Sequence, residues 1–126
     1  MCKKDMTINK TDILTQLDRI LRPMGITRNL RSHQLICDCI LRIFEQEDRL
    51  GAVQKEIYMP IAETHRCDWT GIQSAIRRAA QTAWHNCPDT VRKMAGYPLD
   101  GAPSAVQFLE LLYNTIARNH QATPFL

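Results

Sequence analysis

Aromatic side chains are scarce in this sequence. Two Trp, three Tyr and three Phe make up 6% of 126 residues. A core built on them is excluded, so burial must come from Leu, Ile, Val, Ala and Met. Long apolar runs are also missing. None approaches the about 20 residues that cross a bilayer, which excludes a helical membrane protein. The opening decapeptide, MCKKDMTINK, has no apolar stretch behind its lysines and is not a secretory signal. A cytoplasmic location is expected. There is no internal repeat, no low-complexity segment and almost no strand-like alternation. Charge is not one-sided either: the net value of +3 permits an anionic partner without requiring one. The length suits one domain.

The five cysteines, Cys2, Cys37, Cys39, Cys67 and Cys87, are an odd set without a secretory signal, which argues against a disulfide framework. Two His-x-Cys pairs, His65/Cys67 and His85/Cys87, carry zinc-ligand chemistry. A helix separates them, however, and at its rise they would sit roughly 27–30 Å apart, too far for one ion. His33 and Cys37 are spaced to share a helix face, but two ligands make no structural site. No metal and no cofactor are expected, and the thiols are read as reduced and mostly buried.

What is present is helical periodicity. TDILTQLDRILRPMG places Ile13, Leu17, Ile20 and Leu21 on one face, with Thr11 or Asp12 as the cap and Pro23 and Gly25 as the stop. SHQLICDCILRIFEQEDRLG follows, with Leu35, Ile36, Cys39, Ile40, Ile43 and Phe44 inward, Ser32 as N-cap and Gly51 as stop. A shorter helix covers VQKEIYMPIAETH, where Pro60 should kink or break it. TGIQSAIRRAAQTAW is next, then a short helix ended by Gly96. The last helix has Val106, Leu109, Leu112, Tyr113 and Ile116 as its buried stripe. The expectation is an all-α, six-helix single domain over residues 11–120, with tails at 1–10 and 121–126.

The third and fourth helices satisfy the spacing of a DNA-reading helix-turn-helix. Ala62 is small where the second helix would cross, His65 to Asp68 make the tight turn, and Ile72 is the early apolar pin. Asp68 can cap the second helix, whose inward stripe is Ile72, Ala75, Ile76, Ala79, Ala80, Ala83 and Trp84. Its outward face carries Gln73, Ser74, Arg77, Arg78 and Gln81, and its N-terminus offers free N–H groups to a phosphate. Two details oppose this reading. The turn position that favours left-handed geometry is Arg66 rather than Gly or Asn. TGIQ is also a capping-box pattern, which would tie Gln73 back to Thr70. Gly71 in the first turn weakens the helix by roughly 1 kcal/mol relative to Ala.

The stretch LGAVQKEIYMPIAETHRCDWTGIQSAIRRAAQTAW resembles the C-terminal DNA-binding domain of the stage-zero sporulation response regulator. The likeness rests on Leu50-Gly51, Lys55, Tyr58, Ile61-Ala62, Ile72, Ala75-Ile76-Arg77 and Ala83-Trp84, with ILRPMGI upstream and AGYP downstream. It implies a six-helix domain that inserts the Asp68–Trp84 helix into the major groove of double-stranded DNA. It also implies binding to short promoter boxes, often as head-to-tail pairs, under control of a phosphorylated receiver domain.

Departures from that pattern are specific. Met1 stands directly before the effector region, so no receiver is expected in cis. Where the family carries arginine, glutamate and a second arginine on the leading surface, this chain has Gly71, Gln73 and Ser74. Arg77 matches the family and Arg78 replaces its usual histidine. The expected function is therefore a DNA-binding transcriptional regulator with altered or weak sequence specificity. Gln73 and Ser74 would face bases, Gln73 being suited to an adenine edge. Lys55, Thr70, Arg77 and Arg78 would hold phosphates, which position the protein without specifying sequence. Self-association, or pairing with a related regulator, is the further expectation about partners.

The alternative is a protein-interaction module that keeps the fold and has lost specific DNA reading. Residues 50–95 favour it by their weak charge, with Lys55, Arg66, Arg77, Arg78, Arg92 and Lys93 against Glu56, Glu63, Asp68 and Asp89. An enzyme is not expected. His65, Cys67 and Asp68 cluster in a tight turn without a recognisable oxyanion donor pattern or second catalytic partner.

Overall fold

The structure, a computed structural model, describes residues 9–122. The expected tails lie almost wholly outside that range, as does Cys2. Six α-helices occupy it: α1 (Lys10–Leu21), α2 (Arg31–Glu45), α3 (Met59–His65), α4 (Trp69–Asn86), α5 (Pro88–Ala95) and α6 (Ala105–Ala122). No strand is present among the described residues, and no helix there is long and apolar enough to cross a membrane. The all-α, six-helix expectation holds.

α1 starts two or three residues earlier than expected. Its cap is Asn9, whose side chain accepts the N–H of Asp12 at 2.9 Å, rather than Thr11 or Asp12. Pro23 lies in a 3-10 turn over Arg22–Met24, and Gly25 closes it with φ +88°. Glycine is needed there twice over. The left-handed geometry disfavours a side chain, and a Cβ would stand 2.7 Å from Nδ2 of Asn86. That nitrogen donates to the carbonyl of Met24 at 2.8 Å and so fastens the end of α4 to this turn.

α2 also starts before its expected cap. Leu30, extended at φ −88° and ψ 140°, is the N-cap position, so Ser32 is already helical. The helix stops at Glu45 rather than near Gly51, which falls in a 3-10 run over Glu47–Ala52. The backbone leaves the helix at Gln46, extended at φ −157° and ψ 100°, whose N–H still bonds the carbonyl of Arg42. The Arg49 guanidinium braces this end, donating to the same carbonyl at 2.9 Å and to Glu45 Oε1 at 3.0 Å.

Pro60 neither breaks the third helix nor stands outside it. Residues Gln54–Tyr58 form a π-helical turn that runs directly into α3, with the Met59 N–H bonded to the Gln54 carbonyl. Proline removes the N–H that would bond the carbonyl of Glu56. Nε of Arg42, from α2, donates to that carbonyl instead at 3.0 Å. The wider register and the arginine together carry the helix through the proline.

α6 opens with a reciprocal cap. Ser104 Oγ accepts the Gln107 N–H at 3.1 Å, and Gln107 Oε1 accepts the Ser104 N–H at 2.9 Å. Ser104→Ala should therefore cost about 1 kcal/mol, read as a lower urea midpoint with an unchanged slope. A change within about 0.3 kcal/mol would show that the cap contributes little to stability.

The core is one cluster to which all six helices contribute, with α2, α4 and α6 packed on one another. The expected stripes of α1, α2 and α4 are inward, though Ile20, Phe44, Ala75 and Trp84 are only partly buried. α6 differs. Val106 is 36% exposed, whereas Phe108 and Leu111, outside the expected stripe, are buried. Cys37 and Cys39 belong to the core, and burial, reinforced by Asp38, pushes the Cys37 thiol up to about 11.

Candidate nucleic-acid interface

α3 and α4 meet through a turn that the sequence appeared to disfavour. Arg66 adopts φ 55° and ψ 50°, the left-handed region, and is the one non-glycine residue to do so among those described. The Cys67 N–H bonds the Ala62 carbonyl at 2.9 Å and the Arg66 N–H bonds the Glu63 carbonyl at 3.3 Å. This is a Schellman closure. The geometry costs an L-residue about 1 kcal/mol, and Arg66→Gly should recover much of it. A urea midpoint raised by roughly 0.5–1 kcal/mol is the expected result; a lowered midpoint would mean that the arginine side chain contributes more than its backbone costs.

The expected packing of the pair is present. Ala62 and Ile72 are buried, and the rings of Tyr58 and Trp69 stack at 6.5 Å with 6° between planes, joining the start of α3 to the first turn of α4. Nε2 of His65 lies 2.8 Å from Oδ2 of Asp38, tying the end of α3 to α2. An Nη of Arg31, the first residue of α2, donates to Sγ of Cys67 in the turn at 3.3 Å. Sγ of Cys87 is 3.4 Å from the carbonyl of Pro23. The two His-x-Cys pairs thus contact different parts of the fold. His33 and Cys37 do share a face, with Nδ1 and Sγ 3.7 Å apart.

Asp68 occupies the N-cap of α4 with extended backbone, but its side chain makes no capping bond. Thr70 is the second residue of the helix, so the capping box with Gln73 does not form. That removes the objection that Gln73 is tied down. Thr70, Ser74, Arg77 and Gln81 recur at i, i+4, i+7 and i+11, one row on the helix surface. Thr70, Arg77 and Gln81 are exposed; Ser74 and Gln73 are half-buried.

Gln73 lies on the side of that row nearer α3, where exposed Lys55 lines a shallow groove with Met59, Glu63 and Trp69. Gly71 and Arg78 lie on the opposite side, facing the Ile26–Ser32 segment. None of the six expected site residues makes a side-chain hydrogen bond or ion pair among the described residues. The fold therefore brings Thr70, Ser74 and Arg77 to one row and divides Lys55 and Arg78 between its two flanks. Sequence reasoning passed over Leu30, Arg31 and Ser32, which border Gly71. No local signal pointed to them, because they stand about 40 residues upstream of α4.

An all-α domain that presents an exposed polar row on the second helix of a helix-turn-helix is the architecture of a DNA-binding domain. The chain belongs to the family described as sporulation initiation factor Spo0A C terminal, whose family model matches residues 17–116. That family is a DNA-binding effector domain of a sporulation regulator and not an enzyme. No solved structure matches the chain.

Proposed function

We propose that the protein is a transcriptional regulator that places α4 in the major groove and reads a sequence different from that of its relatives. The observation that carries this reading is the uncommitted row Thr70–Ser74–Arg77–Gln81 with Gln73 beside it, free of side-chain partners among the described residues. Gln73 and Ser74 are the candidate base readers. Gln73 suits the N6/N7 edge of adenine, and a bidentate contact of that kind discriminates by roughly 1–3 kcal/mol. Thr70, Arg77 and Arg78 on α4, with Lys55 on its α3 flank, are the candidate phosphate contacts. Pairing with a second copy or a related regulator on adjacent sites belongs to the same proposal.

Selection from a randomised duplex pool at two salt concentrations tests it. The expected result is steep salt dependence together with an enriched motif. Gln73→Ala should then relax preference at one position while leaving the others unchanged. No retention of any duplex at ~50 mM salt would end the DNA-binding reading in favour of a protein-interaction module.

A further inference from the structure

Gly71 has an ordinary backbone, so its place in α4 is not a demand of geometry. It forms part of a groove instead. Leu30, Arg31 and Ser32 make one wall; Gly71, Ala75 and Arg78 make the other, and about 310 Å³ lies between them. A Cβ on Gly71 would meet nothing within 4 Å. At 3.6 residues per turn, Gly71, Ala75 and Arg78 lie within about 60° of one another, beside the outward row rather than on it. Two arginines from different helices line this space, Ser32 lines it as well, and no acid does so among the described residues. Arg31 and Arg78 are both exposed, and the bond from Arg31 to Sγ of Cys67 engages only a weak acceptor. Arg28, nearby in sequence, stands 3.7 Å from Asp18 and is already paired.

We propose that the groove between the Leu30–Ser32 segment and α4 seats a DNA sugar-phosphate strand that flanks the major groove, and that Arg31 contacts its phosphate. The proposal rests on the DNA-binding reading and adds a residue outside the helix-turn-helix. A backbone strand is the occupant favoured by the lining: cationic on both walls, hydroxyl-bearing, free of acids and continuous with the face of α4. Gly71 keeps the groove open. A long side chain there would occupy the space that the strand requires.

The test measures affinity for an enriched duplex and for an unrelated one, across a salt series, with Arg31→Ala, Arg31→Lys and Gly71→Leu. Arg31→Ala should weaken both duplexes about equally, by 5- to 10-fold, and reduce the salt slope by about 0.9. Arg31→Lys should keep the slope, because its charge still releases a counterion. Gly71→Leu should weaken both duplexes without lowering the thermal midpoint, since its Cβ enters open space and the helix loses glycine's propensity cost of about 1 kcal/mol. The proposal falls if Arg31→Ala binds like the wild type while Arg77→Ala/Arg78→Ala is impaired; the DNA-binding reading then survives alone. A loss confined to one base position would overturn it as well, since Arg31 would then be reading a base. If the wild type retains no duplex, both readings fail together.

Discussion

Arg77→Ala combined with Arg78→Ala is expected to weaken duplex binding about 100-fold, roughly uniformly across sequences. Both side chains are exposed and make no internal ion pair among the described residues. Nothing among the described residues therefore competes for them. A hydrogen bond to a charged group is worth about 1.5–3 kcal/mol, and each 1.4 kcal/mol is tenfold, so two lost contacts multiply to that range. The salt slope should fall by about 1.8, since each neutralised phosphate contributes about 0.9. Stability should change by no more than about 0.5 kcal/mol, as for most surface substitutions. Titration of a labelled duplex at several salt concentrations, with a urea melt of the same variant, reads all three quantities. Affinity within twofold of wild type would show that this face of α4 is not the DNA face.

Ile72→Ala is expected to do the reverse, with a large loss of stability from a residue that contacts no ligand. Ile72 is fully buried in the first turn of α4 and belongs to the central cluster. Truncation removes its transfer energy and leaves a cavity that the neighbouring helices fill only in part, at a cost of about 2–5 kcal/mol. Against a total stability of about 5–15 kcal/mol, this is a substantial fraction. It should lower the melting temperature by about 10 °C for a domain of this size. The effect should be sharp because Ala79, Ala80 and Ala83 follow along the same buried face. A helix that buries mainly small side chains depends heavily on its two isoleucines, Ile72 and Ile76. A cost below about 1 kcal/mol would mean that α4 is held elsewhere, by the Asn86–Met24 bond or the stacked Tyr58 and Trp69.

The two variants test a division of α4 into an inner face that sets stability and an outer face proposed to set binding. The inner face was readable from spacing, because burial on a helix follows its 3.6-residue period. Ile13, Leu17 and Leu21 on α1 and the run from Leu35 to Ile43 on α2 were readable for the same reason. The stops at Gly25 and Gly96 also followed, since both take a left-handed backbone. Helix starts were placed less well. Asn9 and Leu30, not Thr11 or Ser32, hold the N-cap positions of α1 and α2. Several polar residues near a helix end can cap, and only the backbone path decides which one does. Val106 was misplaced for a related reason. The stripe of α6 was read as one narrow face, but the helix is packed from more than one side, which turns Phe108 and Leu111 inward.

The candidate site was legible in part. Lys55, Thr70, Gln73, Ser74, Arg77 and Arg78 were named from spacing and resemblance, and the grouping of Thr70, Ser74 and Arg77 in one row is helical arithmetic. Their division across three surfaces was not legible, because it depends on what packs beside α4. The same holds for the apparent defect at Arg66, which became a Schellman turn.

The sequence by itself determined the all-α class, the buried stripes of most helices and the helix-turn-helix spacing from Ala62 through the turn to Ile72. Those features rest on interactions within a few residues along the chain, where backbone geometry leaves few choices. Only the tertiary structure decided that Arg42 would partner the Glu56 carbonyl orphaned by Pro60, 14 residues away. It also decided that Gly71 would border a groove walled by Arg31. Both outcomes depend on which side chain, distant in sequence, arrives at an open carbonyl or an empty surface, and packing alone settles that.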